Sequence, residues 1–159
     1  MVDVVDEVIQ LNVEYRPTTT DAAAILMQAG STAYLIFQAT QQANGAWRRV
    51  GFALVEFPDC LITQFGYPND EALRGHPLYQ HPLPLTYRMY EVRQSSWLRR
   101  LEQHNRVVFP QTTAWTGRHF MVVFHDCMFE CIAADLQLQV FDEPIDQVVN
   151  RVTAELLAE

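Results

Sequence analysis

The chain has 159 residues, the length of one domain with room for a full core, and no run of about eighteen apolar residues marks a membrane span. Its net charge of −8 disfavours duplex nucleic acid, and all eleven cations are arginine, so Schiff-base, P-loop and Ser–Lys chemistry that needs a lysine is excluded. The opening residues are acidic, so no secretory leader is expected, and the three cysteines (Cys60, Cys127, Cys131) are too few and too oddly spaced for a disulfide framework or a zinc knuckle; a cytoplasmic protein is expected.

Residues 8–15 alternate Ile9, Leu11, Val13 and Tyr15, the period of a strand. Residues 21–29 follow Thr20, a fair N-cap, and precede Gly30, a fair C-terminal stop, so a short helix is expected there. Asn44-Gly45 between two apolar runs is a strong hairpin signal, and a two-residue turn pairs Ala43 with Ala46. Counting outward from that turn places Leu35, Phe37, Ala39, Val50, Phe52 and Leu54 on a core face. It leaves Tyr34, Gln38, Thr40, Trp47 and Arg49 on a half-wet one. That second face also carries Ile36 and Val55, and a homodimer is expected to hide it if no helix does.

Further on, residues 61–66 read as a short strand, 69–75 as one helical turn capped by Asn69 or Asp70 and ended by Gly75, and Thr86–Val92 as a strand. Ser95 caps an amphipathic helix over about 95–105, with Trp97, Leu98 and Leu101 inward. Residues 118–133 form a hairpin, and Pro144 starts a final helix over about 144–158. The expected fold is α+β: one domain spanning 1–159, a mostly antiparallel sheet built from hairpins with helices mainly on one face.

"FGYPNDEALRGHPLY", "YEVRQSSWLRRLEQHNR" and "RHFMVVFHDCMFECIA" resemble blocks in bacterial proteins of unknown function, over roughly residues 60–135. The resemblance implies no activity and no catalytic residue. It implies only that the three blocks belong together.

Little else is overtly chemical. The glycines form no G-x-G-x-x-G, no serine stands in a G-x-S-x-G elbow, and no cofactor is expected. Asp70, Glu71 and His76 are capable of acid–base work, but capping and termination of a helical turn give each a local role. In the 118–133 hairpin, an even-length loop puts His125 and Glu130 on one face, and Phe124, Phe129 and Cys131 on the other. His119 and His125 are six residues apart on a strand, about 20 Å. They cannot share one ion with its ligands at about 2 Å, so no metal site is expected. An enzyme reading, a small hydrolase or thiol enzyme, rests on His125 and Glu130 with Cys127 or the Asp70/Glu71/His76 loop. The leading expectation is a non-enzymatic module binding a protein partner or a small ligand. Its surface would carry Trp47, Arg49, Arg99, Arg100 and Arg106, since Trp and Arg are enriched at interfaces.

Overall fold

The structure is a computed structural model that describes residues 3–20, 24–79 and 84–158. It contains two five-stranded antiparallel sheets. One has the order β1 (Glu7–Gln10), β7 (Met89–Arg93), β8 (Arg118–Val123), β9 (Met128–Ala133), β6 (Ile62–Gly66). The other runs β10 (Gln137–Phe141), β5 (Ala46–Phe57), β4 (Thr32–Ala43), β2 (Tyr15–Pro17), with β3 (Ile25–Ala29) pairing on β4 beside β2.

The sheets face each other. Leu35, Phe37, Ala39, Ala53, Val55 and Phe57 from the second sheet meet Met89, Phe120, Val122, Phe124, Phe129 and Cys131 from the first. Helix α2 (Ile145–Ala158) lays Val148 and Val152 on the outer face of the second sheet, over Tyr34, Ile36 and Leu54. On the outer face of the first sheet, Leu73, Leu78 and Leu85 cover Tyr90, Met121, Val123 and Met128, and helix α1 (Ser96–Val108) packs beside them on β8. No helix among the described residues is long and apolar enough to cross a membrane.

The α+β class and the antiparallel pairing agree with the expectation, with four corrections. There are two sheets, and helices cover both outer faces. The strand expected over 8–15 is split, because the chain leaves the first sheet after Gln10 and enters the second at Tyr15. The helix expected over 21–29 is strand β3 from Ile25 onward, while 21–23 lie outside the described residues. Gly30-Ser31 is the tight turn of a hairpin in which Ala29 pairs with Thr32, so pairing with β4 overrides the local helical pattern.

The fourth correction concerns faces. Ala43 pairs with Ala46 as expected, but pairing then slips from Thr40–Arg49 to Ala39–Gly51, leaving Val50 as a bulge. Beyond the bulge the parity of β5 inverts. Ala53 and Val55 join Leu35 and Phe37 between the sheets, and Phe52 and Leu54 turn to the other face. That face is dry under α2, which removes the uncovered patch on which the homodimer expectation rested.

Candidate functional site

Three distant segments converge on one carboxylate. The β8–β9 register sets Met121 opposite Glu130, so Glu130 points to the outer face, and His119, two residues before Met121, lies diagonal to it on the same face. His119 Nε2 is 2.8 Å from Glu130 Oε1. His76 leaves the 3-10 turn Asp70–Gly75, and its Nε2 is 3.2 Å from Glu130 Oε2. Ser95, the N-cap of α1, completes the line, with its Oγ 2.8 Å from His119 Nδ1 while accepting the Leu98 N–H at 3.1 Å.

The neighbouring hydrogen-bond partners assign the protons. Leu78 N–H donates to His76 Nδ1 at 3.1 Å, so Nδ1 is an acceptor and Nε2 carries the hydrogen offered to Glu130. The other carboxylate oxygen accepts from His119 Nε2–H, so Nδ1 of the neutral His119 ring is the acceptor for Ser95 Oγ–H. Glu130 and His119 are almost wholly buried. Burial alone would raise the pKa of Glu130, but the hydrogen bonds from His119 and His76 outweigh it and bring the pKa down to about 2. A buried carboxylate is thus held ionised at the bottom of a cleft of about 390 Å³. Tyr67, Pro68, Leu78 and Trp97 supply its apolar lining, and Gln64, Ser96 and Arg100 its polar lining.

The remaining candidates are distributed differently. His125 does not meet Glu130. It lies in the turn itself and not on the strand, with Phe124 N–H donating to Cys127 O at 3.0 Å and His125-Asp126 at the tip. His125 Nδ1 instead lies 2.7 Å from Asp70 Oδ2, an oxygen that also accepts from Tyr87 Oη at 2.5 Å. Asp70 is held below the usual carboxylate range by Tyr87 and then His125, and Tyr87 is pushed up to about 12.

Glu71 is exposed in the first turn of the 3-10 segment. Asp70 and His76 therefore serve two different clusters, and His125 does not line the cleft. Cys127 is half-buried, and burial, then Asp126, raises its thiol pKa, the reverse of an activated nucleophile. Phe124, Phe129 and Cys131 share the inter-sheet core, as their parity required.

The expected interaction surface is dispersed. Trp47 is flanked by Arg16 and Arg88, Arg49 donates to Thr20 Oγ1, and Arg99 binds the Gln94 and Val4 carbonyls. Arg106 is exposed in the last turn of α1, and only Arg100 reaches the cleft.

Ser95, His119 and Glu130 have the connectivity of a catalytic triad, which sequence inspection missed because Ser95 already had a role as a cap. Two contacts oppose that use. The Ser95 hydroxyl is buried and spends its lone pair on Leu98 N–H. The Ser96 N–H next to it, where an oxyanion would be stabilised, is taken by Asp6 Oδ1 at 2.5 Å. Metal ligation through His76 Nε2 is opposed by the proton it carries, and no described group of three His, Cys, Asp or Glu residues has a metal-holding arrangement. Comparison of the chain with family models, curated proteins and solved structures gives no match in any of the three.

Proposed function

We propose that the chain is a binding module that takes a small amphipathic molecule into the cleft above His76, Glu130 and His119. The observation that carries this reading is the ionised Glu130 beneath an open cleft of about 390 Å³, within the size range of ligand pockets. Each Glu130 oxygen receives one imidazole N–H, which leaves acceptor capacity for a ligand donor. Trp97, Leu78 and Pro68 offer apolar contact, and Arg100 stands among the lining residues with no ion pair among the described residues. The complement is a molecule with a hydrogen-bond donor at one end and an apolar body. The free thiols Cys60, Cys127 and Cys131 support a reducing, cytoplasmic setting.

The test is a fragment screen read on the Trp97 indole and Gly75 amide resonances of the full chain. Shifts confined to these groups, lost in a folded Trp97→Ala variant, support the reading. Absence of any binder at millimolar concentration refutes it. Turnover of small esters that disappears in Ser95→Ala would replace it with a hydrolase reading built on the Ser95–His119–Glu130 alignment.

A further inference from the structure

We propose that Arg16, Arg88 and Trp47 form a second binding site, for a phosphate-type oxyanion, where residues of the two sheets come together. Arg16 lies on β2 and Trp47 on β5 of one sheet, and Arg88 directly precedes β7 of the other. The guanidinium carbon of Arg16 is 3.6 Å from the Trp47 ring centre and that of Arg88 is 4.7 Å from it. Two cations thus share one indole and lie at most about 8 Å apart, a separation at which like charges repel.

Neither guanidinium has a carboxylate partner among the described residues. Arg16 Nε is buried without any hydrogen bond. Glu14, two residues before Arg16, is engaged by Gln41, and Arg48 and Arg49 next to Trp47 add more positive charge. Burial, and then the charge of Arg88, lower the pKa of Arg16, so the ionised pair is held at a disadvantage. One cation over an indole is a favourable arrangement. A second, together with an orphaned buried donor, is not, unless something negative belongs between them.

An oxyanion relieves the repulsion and gives both guanidiniums the negative partner they lack. A phosphate group spans the two guanidiniums with N–H···O bonds of about 2.8 Å to each, and a planar guanidinium binds phosphate through paired donors. Trp47 holds both cations in place beforehand, which reduces the ordering penalty on binding. The net charge of −8 repels a polyanion, so the occupant is small: inorganic phosphate or a phosphate monoester.

The experiment is thermal unfolding of the full chain against increasing inorganic phosphate or phenyl phosphate, with sodium chloride at matched ionic strength as the reference. The expected result is a saturable rise in Tm with phosphate and none with chloride. In Arg88→Gln the midpoint of the phosphate response should move up at least tenfold, while Tm without phosphate stays level or rises because the repulsion is gone. A steeper response to phenyl phosphate assigns a monoester, and an equal one assigns the free ion. Phosphate acting no better than chloride, or Arg88→Gln keeping the full response, overturns the site. Broadening of the phosphate phosphorus resonance by wild type but not by Arg88→Gln checks the same conclusion independently of stability.

Discussion

His119 and Glu130 meet on the diagonal of two adjacent strands, 2.8 Å apart, although neither is the other's direct cross-strand partner. The diagonal leaves the second carboxylate oxygen facing outward, where His76 reaches it from a different part of the chain. One buried charge therefore ties β8, β9, the 3-10 turn and, through Ser95, helix α1 into a single hydrogen-bonded unit.

Glu130 sets an acid limit on stability. Its folded pKa of about 2 lies below the ordinary value of 4.5, so it stabilises the fold above pH 4.5, and that contribution is lost as pH falls toward 2. The contribution is about 3 kcal/mol on the standard conversion of pKa differences into free energy. Urea unfolding at pH 7, 4 and 2 should show wild type losing this amount, whereas Glu130→Gln is less stable at pH 7 and converges on wild type near pH 2. Parallel curves for the two proteins would contradict the assignment.

His119 should tolerate an amide better than a methyl group. His119→Gln keeps a donor for Glu130 and is expected to lower stability by about 1 kcal/mol, while His119→Ala leaves a cavity and a half-paired buried charge, at about 3 kcal/mol. Equal losses in urea titrations would mean that packing, not the hydrogen bond, is the contribution of His119.

Two glycines with almost the same φ separate strain from crowding. Gly51 and Gly66 have φ of 133° and 132°. A Cβ at Gly51 would lie 2.3 Å from the Phe141 carbonyl oxygen, while at Gly66 it meets nothing within 4 Å. Gly66→Ala should lose about 1 kcal/mol for conformation alone, and Gly51→Ala clearly more, since strand β10 must move away. Chemical unfolding of both variants gives the comparison.

Asp70 controls the ionisation of Tyr87. The Asp70 carboxylate accepts the phenol proton and, with burial, pushes Tyr87 up to about 12. In Asp70→Asn the Tyr87 ring-carbon resonance should titrate nearer to the ordinary value of about 10. An unmoved titration would show that burial alone raises Tyr87.

Much of the local structure was legible in the sequence. Asn44-Gly45 named its hairpin, Ser95 and Asn69 named their caps, and the even parity of the last hairpin placed Phe124, Phe129 and Cys131 in the core. What escaped had non-local causes. The Val50 bulge inverts faces without changing composition, and it misplaced Phe52 and Leu54. The Ile25–Ala29 segment reads as helix until β4 is available to pair with it. The site was half visible: Glu130, His119 and His76 were all noted, but the turn starts earlier in the chain than expected and takes His125 off the strand, away from Glu130. No local rule brings His76 to Glu130, 54 residues along the chain.

The order of strands in the first sheet has a kinetic consequence. The hairpins β4–β5 and β8–β9 close short loops, but β6 must find β9 across nearly seventy residues, Thr63 pairing with Cys131. Loop closure of that length is slow relative to hairpin formation. Cys131 lies in that late pairing and Cys60 just before it, and both are sealed from solvent once the strands join. The pace at which these two thiols lose reactivity during refolding is therefore a built-in clock for completion of the cleft, readable by pulsed alkylation with no label added to the protein.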